Sequence, residues 1–263
     1  MFDTHCHLNL DPLFEEHDKI IKDARAAGVS HLLIPSTNWE NAKRALEIVE
    51  NFQNVYMSVG VHPTEKLDSI RVSSLATRLE DLVKSNFKIV AIGEVGLDYY
   101  HTTKSLDVAG PVAQKEFFEA QLRIAIKLDL PVIIHNRLAT DDVLDIMTSI
   151  GVSNFSGKAV FHCCPAEERL LEFAKKHTIY IGVDGDVTYD KEKQAFIQLV
   201  PEELLLLETD SPYLTPEPVR SKKRFPNTPA NLAYTADRVS EIKEKDIRKS
   251  SFDNSLQLFS LED

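Results

Sequence analysis

Short apolar runs rich in β-branched residues alternate with longer amphipathic segments along most of the chain, and this alternation limits the folds available to it. The connections between the runs are too long for hairpins, so neighbouring strands are expected to pair in parallel. Eight such runs predict a single (β/α)8 barrel, the TIM barrel of the α/β class. The runs lie near residues 1–5, 30–34, 55–59, 89–93, 132–135, 159–162, 179–182 and 204–208.

Helical periodicity fills the intervals between these runs and continues beyond the last one. Asn38 is suited to cap the second helix, and Gly28 stands where the first helix should end. No linker or low-complexity tract interrupts the pattern, so residues 1–263 are expected to form one domain. The helical segments are 15–27, 39–51, 114–128, 140–150 and 167–177, with additional C-terminal helices at about 230–242 and 246–258.

An open, doubly wound parallel sheet is the alternative fold. Such a sheet usually carries a glycine-rich turn directly after its first strand. In this chain Thr4-His5-Cys6-His7 occupies that position, which favours the barrel.

The net charge of the chain is −11, with a sequence pI near 5.3. A broad basic face for nucleic acid is therefore not expected, because such proteins are normally positive. If the protein handles phosphates, its positive charge must be local, from metal ions or from a few clustered side chains. The only dense basic run is Arg220-Ser221-Lys222-Lys223-Arg224, and runs of this kind are most often solvated loops.

The cysteines and the hydropathy of the chain indicate the cellular compartment in which the protein is expected. Cys6, Cys163 and Cys164 form neither an even disulfide framework nor a CxxC pair, which suits a reducing environment. No apolar run approaches the roughly 18 residues that a membrane span needs, and no secretory signal is recognised at the start. A cytoplasmic protein without membrane association is expected.

Chemically active side chains follow six of the eight predicted strands, where a barrel would bring them to one rim. A lone His after a strand is most often structural, and a lone Asp before Ser-Pro is most often a turn former. On one rim without metal, the two acids would repel each other, and several imidazoles would compete for few hydrogen-bond partners. Divalent cations remove both difficulties by accepting lone pairs from all of these groups. The predicted metal ligands are His5, His7, Glu94, His135, His162 and Asp210.

The number of these ligands exceeds what one tetrahedral ion needs, particularly if a catalytic ion keeps an open position. Two ions that share Glu94 fit the count better, so a dinuclear site is predicted. Imidazole and carboxylate ligands admit Zn, Mn, Co and Fe, and Mg is possible through the carboxylates. The remaining histidines are expected to lie away from the rim: His17, His31, His101 and His177.

Six motifs mark the strand ends: Asp3-Thr4-His5-Cys6-His7, Gly60-Val61-His62-Pro63, Gly93-Glu94-Val95-Gly96-Leu97-Asp98-Tyr99-Tyr100, Pro131-Val132-Ile133-Ile134-His135, Phe161-His162-Cys163 and Glu208-Thr209-Asp210-Ser211-Pro212-Tyr213-Leu214. This ordered set resembles the TatD family of metal-dependent deoxyribonucleases, within the wider amidohydrolase-like barrel group. The resemblance covers nearly the whole chain.

The resemblance implies a role for each motif. One ion would be held by His5, His7, Glu94 and Asp210, and the other by Glu94, His135 and His162. It also implies that His62 and Arg137 bind substrate near the scissile phosphate. The expected reaction is hydrolysis of DNA phosphodiesters by a metal-activated water, with Asp210 and Glu94 as catalytic residues. Single strands or DNA ends are the expected substrate, and the chain is expected to act as a monomer.

Three loops depart from the family pattern. They are Cys163-Cys164-Pro165-Ala166, Thr188-Tyr189-Asp190-Lys191 and Lys222-Lys223-Arg224-Phe225-Pro226. All three are loops expected to touch substrate, so the departures concern specificity and leave the metal ligands intact.

Two other functions remain open. The same metals could hydrolyse a carboxyl ester or amide, as in a D-aminoacyl-tRNA deacylase. Many related dinuclear amide hydrolases use a modified Lys as the bridge, whereas Glu94 stands at that position here and favours phosphodiesters. A barrel that binds metal or a partner without turnover is less favoured, because none of the six ligands is missing.

Overall fold

Eight parallel strands form one sheet in sequence order, as the predicted barrel requires. The computed structural model describes residues 1–67, 72–105 and 108–262. The strands are β1 Phe2–Asp3, β2 His31–Pro35, β3 Val55–Val59, β4 Ile89–Asp98, β5 Val132–Arg137, β6 Ala159–Phe161, β7 Tyr180–Val183 and β8 Leu205–Leu207. Each strand pairs in parallel with the next one in the chain, which confirms the (β/α)8 topology.

Backbone hydrogen bonds bring the end of β8 against the end of β1. The amide of Thr4 donates to the carbonyl of Leu207 at 3.1 Å, and the amide of Asp210 donates to the carbonyl of His5 at 2.9 Å. The amide of His7 donates to the carbonyl of Ser211 at 2.7 Å. The first and eighth strand ends are therefore one continuous piece of the rim.

Helices connect most of the strands and extend the chain after β8. Within the described ranges, none of them is both long enough and apolar enough to cross a membrane. The helices are α1 His17–Ala26, α2 Trp39–Asn51, α3 Val72–Ser85, α4 Tyr99–Thr102, α5 Pro111–Leu128, α6 Thr140–Ile150, α7 Glu168–His177, α8 Lys191–Leu199, α9 Leu232–Lys243 and α10 Arg248–Phe259.

Local signals set several of these boundaries as the sequence predicts. The Asn38 side chain accepts hydrogen bonds from the amides of Glu40 and Asn41, at 3.0 and 2.9 Å, and caps α2. Gly28 follows the end of α1 with φ of +86°, a conformation in which glycine carries no Cβ penalty. The two additional C-terminal helices are present as α9 and α10.

The largest differences from the predicted boundaries occur at β1 and β4. Strand β1 is shorter than the predicted 1–5, and β4 continues to Asp98 instead of ending at residue 93. It continues because its second half pairs with β5, up to Asp98 opposite Arg137. Helices α3, α4 and α8 fall outside the helical segments that the sequence predicts.

The core has two parts, one between strands and helices and one within the ring of strands. The second part draws buried residues from alternate positions of the strands, and α10 packs against it. Residues two positions further along a strand point to the same side. His135, His162 and Glu208 therefore follow the inner residues of their strands, which are Ile133, Val160 and Leu206.

Strands β4 and β5 approach each other closely at Gly96. Its φ is +151°, and a Cβ at this position would overlap the backbone carbonyl of His135. No flexible side chain could move aside, because the neighbouring atoms belong to the backbone. The absence of a side chain at Gly96 therefore lets β5 carry His135 at its observed position.

Replacement of Gly96 by alanine is expected to lower the free energy of unfolding by about 3 kcal/mol, through overpacking and an unfavourable φ. Urea denaturation followed by circular dichroism measures the change. Gly110→Ala is the matched control, because no atom of the described residues beyond its chain neighbours lies within 4 Å of its Cβ position. This variant should change stability by less than about 1 kcal/mol. Equal stability of the two variants would contradict the close-approach argument.

Candidate metal centre

A cleft of about 1020 Å³ opens where the strands end in their C-terminal direction. Seven of the eight residues predicted for metal or substrate line it: His7, His62, Glu94, His135, Arg137, His162 and Asp210. The eighth, His5, is fully buried and lies in contact with the same group. The structure thus brings together all the residues that the sequence assigns to the site.

Glu94 lies at the centre of this group and is only 3% exposed. Its Oε2 atom faces the two histidines that follow β1, at 3.3 Å from His5 Nε2 and 3.7 Å from His7 Nε2. Its Oε1 atom faces three others, at 2.7 Å from His135 Nδ1, 3.0 Å from His162 Nε2 and 3.4 Å from His62 Nε2. The two oxygens of the Glu94 carboxylate therefore contact two separate sets of imidazoles.

An irregularity in β4 aims Glu94 into the cleft. Ile92 pairs with Val132, but Val95 pairs with Ile134, so β4 holds one extra residue across this interval. Extra residues of this kind bend a strand and re-aim a side chain, and they are common beside active sites.

Asp210 completes the half of the cluster that lies near β1. Its Oδ1 atom is 3.3 Å from His7 Nε2 and 3.8 Å from His5 Nε2. The Asp210 side chain is 15% exposed, whereas His5 is completely enclosed. Asp210 therefore lies where it can contact both the buried cluster and a molecule in the cleft.

The ionisation of the cluster follows from burial and from its neighbours. Burial alone would raise the pKa of Glu94, but His162, His62 and His5 around it hold that pKa well below its usual range. Burial lowers the pKa of His5 and of His62. Burial opposes a charge on His162 as well, yet Glu94 and Glu208 raise its pKa well above the usual value. An ionised acid thus lies among imidazoles of which two favour the neutral form.

The donor set of the cluster fits a divalent cation. The Nε2 atoms of His5 and His7 lie 3.2 Å apart, and each lies within 4 Å of both Glu94 and Asp210. The Nδ1 atoms of both rings are buried without a hydrogen-bond partner among the described residues. Neutral imidazole and carboxylate are the ligands that Zn, Mn and similar ions prefer. Among the described residues, four sets of donor atoms each converge within 4.8 Å: His5, His7 and Asp210; His62, Glu94 and His135; His5, His162 and Glu208; and Cys163, Asp184 and Glu208.

Asp98 contacts the cluster, although the sequence assigns it no role. Its Oδ2 atom is 3.2 Å from His135 Nε2 and 2.7 Å from His101 Nδ1, and its Oδ1 atom accepts from the His101 amide at 2.7 Å. The hydrogen bonds of His135 to Asp98 and to Glu94 raise the His135 pKa against the effect of burial. The four-residue spacing from Glu94 was a signal of this role, since alternate residues of a strand share a face.

The prediction that His101 lies away from the rim is wrong. Helix α4 begins directly after Asp98, whose side chain caps it, and its first turn carries His101 back over that side chain. His101 consequently lines the cleft. The other three histidines lie elsewhere: His17 packs against Phe14, His31 against Phe2 and Phe252, and His177 against Phe173.

A second buried group lies beside His162 and was also not predicted. Glu208 Oε1 is 3.5 Å from His162 Nδ1 and accepts a hydrogen bond from the Cys163 amide at 2.5 Å. The Cys163 thiol donates to Asp184 at 3.0 Å. The position of Glu208 two residues before Asp210, on the same face of an extended segment, was a signal of its proximity.

Buried Lys193 pairs with two acids that follow β7. Its Nζ atom donates to the carbonyl of Cys164 at 2.5 Å and lies 3.6 Å from Asp184 and 3.3 Å from Asp186. Burial would lower the pKa of Lys193, but the two acids hold it above its usual value. A single lysine on α8 thus faces both acids of the segment directly after β7.

Arg137 lies in the cleft, as expected for a substrate contact, and Cys6 lies in the core. The Arg137 guanidinium lies 4.5 Å from the centre of the Tyr100 ring and lines the cleft. Cys6 is fully buried, and its thiol donates to the carbonyl of Leu33 at 3.4 Å. Cys6 is therefore a packed side chain, while Arg137 presents its charge to the cleft.

Comparison with known proteins gives consistent relatives over the full length of the chain. The chain is 33% identical over 264 residues to the uncharacterized metal-dependent hydrolase YabD of Bacillus subtilis, covering 98% of each chain. It is 31% identical over 252 residues to the 3'-5' ssDNA/RNA exonuclease TatD of Escherichia coli, covering 94% of this chain and 92% of the relative. The crystal structure of YjjV, a TatD homologue from E. coli, superposes with a TM-score of 0.86 at 27% identity, covering 100% of this chain and 98% of that one.

A model of one protein family matches residues 2–260, which is almost the complete chain. The matched range includes every residue of the Glu94 cluster. The chain belongs to the TatD related DNase family.

Proposed function

We propose that the protein hydrolyses phosphodiester bonds of DNA with two divalent cations that share Glu94. The observation that carries the proposal is the division of the Glu94 carboxylate, with Oε2 toward His5 and His7 and Oε1 toward His135 and His162. A carboxylate so placed suits a bridge between two ions, which usually lie about 3.5–4 Å apart in two-metal sites. The first ion would be completed by Asp210.

The two cations and Asp210 would have different roles in the hydrolysis. When bound, the two cations would lower the pKa of a water, neutralise the phosphate and stabilise the leaving oxygen. Asp210, partly exposed and 3.3 Å from His7, would orient the attacking water and accept its proton. A base positioned in this way typically contributes about 10²- to 10⁴-fold in rate.

Arg137 and His62 are the proposed contacts to the phosphate. Arg137 makes no ion pair with any acid in the part of the chain that the structure describes, so its charge is available to an anion in the cleft. The His62 ring lies 4.4 Å from the His135 ring and 3.4 Å from Glu94, beside the reacting centre. Because His62 is as close to Glu94 as the proposed ligands are, it can also support the second ion.

DNA ends or single strands are the substrate that the charge of the protein favours. A net charge of −11 permits few phosphate contacts outside the cleft, and few contacts give weak non-specific affinity. The names of two relatives, an ssDNA/RNA exonuclease in E. coli and a deoxyribonuclease Tat-D in Schizosaccharomyces pombe, support the same substrate class. One chain supplies the whole cluster, so the proposed reaction requires no second subunit.

Removal of metal is expected to abolish cleavage of end-labelled single-stranded DNA, and Mn, Zn, Co or Mg added back singly should restore it to different extents. Bound ions should also raise the melting temperature, since a ligand at about 100 times its Kd adds about 2.7 kcal/mol of stability. Native mass spectrometry should count two ions per chain. Full activity of stripped protein would contradict metal dependence, and one ion per chain in the active form would contradict the shared Glu94.

Asp210→Asn is expected to lower kcat for single-stranded DNA by about 10²- to 10⁴-fold, because the amide cannot accept the proton of the water. Its circular dichroism spectrum should match that of the original protein. Glu192→Gln is the control, since it makes the same chemical change on an exposed residue of the cleft and should leave kcat within about twofold. Rapid cleavage by Asp210→Asn would remove this residue from the mechanism.

Parallel assays separate DNA hydrolysis from the other functions that the sequence leaves open. The metal-loaded protein is offered a DNA oligomer, a D-aminoacyl-tRNA and a cyclic amide under the same conditions. The proposal expects cleavage of the DNA oligomer at least about 100-fold faster than the others, a difference of about 2.7 kcal/mol in activation free energy. Preferential release of the amino acid would identify an ester hydrolase on the same barrel.

A further inference from the structure

The loop between β8 and α9 carries the densest positive charge of the chain, at residues 220–225. Four of these six residues are basic, and all six are exposed. The last of them, Phe225, is 68% exposed. We call this segment the basic loop. The net charge of the protein is −11, and the reaction proposed at Glu94 makes no use of this local positive charge.

Both ends of the loop are anchored at the cleft. The Asn227 side chain donates to the carbonyl of Thr209 at 3.1 Å and to that of Tyr213 at 2.7 Å. The amide of Asn227 also donates to the carbonyl of Pro212 at 3.0 Å. Tyr213 lines the cleft, and its ring lies 6.4 Å from that of His7. The loop therefore leaves the rim beside the reacting centre and returns to it.

The start of the loop is packed against the segment that follows β7. The amide of Glu217 donates to the Thr188 hydroxyl at 2.8 Å, and the Arg220 guanidinium lies 4.3 Å from the centre of the Tyr189 ring. The carbonyl of Leu214 lies so close to Gly185 that a Cβ there would overlap it. These contacts hold the chain that leads into the basic loop, and Arg220 at its start, against the segment that follows β7.

Three cations of the loop are available to a ligand. Arg220 is engaged by Glu217 at 3.7 Å and by Tyr189. Lys222, Lys223 and Arg224 make no ion pair or hydrogen bond through their side chains within residues 1–67, 72–105 and 108–262. Three unpaired charges next to Phe225 resemble the way in which single-stranded nucleic acid is bound, by basic side chains on the backbone and an aromatic ring under a base.

We propose that the basic loop binds the part of a single strand that lies outside the cleft, with Lys222, Lys223 and Arg224 on phosphates and Phe225 stacked on a base. The proposal rests on the proposed nuclease function and adds to it a second, non-reacting contact region. It accounts for the local basic charge of an otherwise acidic protein. A nucleic acid strand is favoured over an anionic membrane because the chain leaves the cleft at Tyr213 and returns to it at Asn227, so a strand held in the cleft can continue to the basic loop.

The first experiment compares two variants that each remove three positive charges. One is Lys222→Gln/Lys223→Gln/Arg224→Gln, and the control is Lys22→Gln/Lys43→Gln/Lys176→Gln, whose lysines are exposed on α1, α2 and α7. Fluorescence anisotropy measures affinity for a labelled single strand of about 20 nucleotides, between about 50 and 200 mM salt. Cleavage of a dinucleotide reports on the reacting centre alone.

The loop variant is expected to bind the long strand about tenfold more weakly, with a salt slope smaller by about 2, since each phosphate contact to a single strand contributes about 0.7. The control variant should bind within about twofold of the original protein, and both should cleave the dinucleotide normally. Equal loss of affinity in the two variants would overturn the proposal, because it would reflect net charge and not the loop.

Substitutions of Phe225 test the stacking contact. Phe225→Leu is expected to weaken binding of the long strand about tenfold, and Phe225→Trp should preserve it, because stacking requires an aromatic face. Identical affinities of the leucine and tryptophan variants would exclude stacking. Binding of phosphatidylserine vesicles that the loop variant loses, without loss of strand binding, would assign the loop to a membrane and overturn the proposal.

Failure of the nuclease function and failure of the loop proposal give different results. If the protein cleaves neither the dinucleotide nor the long strand, but the loop variant loses affinity for the strand, the loop binds nucleic acid and the reaction is a different one. If cleavage is normal and the loop variant binds the strand like the original protein, the nuclease function stands and the loop proposal is wrong.

Discussion

Glu94 is a buried, ionised carboxylate, and the other residues of the site provide the polar contacts that stabilise its charge. A buried acid without partners would become protonated or destabilise the fold. Here imidazoles at the carboxyl ends of four different strands contact its two oxygens, at 2.7 to 3.7 Å. These strands are distant in sequence, so only a closed ring of strands can supply them together. The cluster around Glu94 therefore depends on the barrel fold.

Backbone geometry, more than side-chain packing, places the members of the cluster. The extra residue between Ile92 and Val95 directs Glu94, and the lack of a side chain at Gly96 leaves space for β5. Hydrogen bonds between the segments after β1 and β8 set His5 and His7 beside Asp210. Sites that depend on such features tolerate surface change well but tolerate change in the backbone path poorly.

The sequence predicted the barrel and the proximity of the predicted ligands for the same reason: side chains at the carboxyl ends of parallel strands lie at one end of the barrel. The sequence did not predict the contact between His101 and Asp98, which forms where the chain turns directly after β4. His101 reaches Asp98 through a four-residue helix that has no amphipathic period to detect. The lengthened β4 was missed because Gly93 resembles a strand end, although pairing with β5 carries the strand to Asp98.

Lys193 lies between Asp184 and Asp186 at the wall of the cleft, and Asp184 also accepts a hydrogen bond from the Cys163 thiol. Removal of one partner from a buried ion pair leaves an uncompensated charge and is strongly destabilising, whereas replacement of all partners together is often tolerated. These positions should therefore change as a set during evolution. A relative with a neutral residue in place of Lys193 is expected to have lost the acids as well, and to present a differently shaped wall to its substrate.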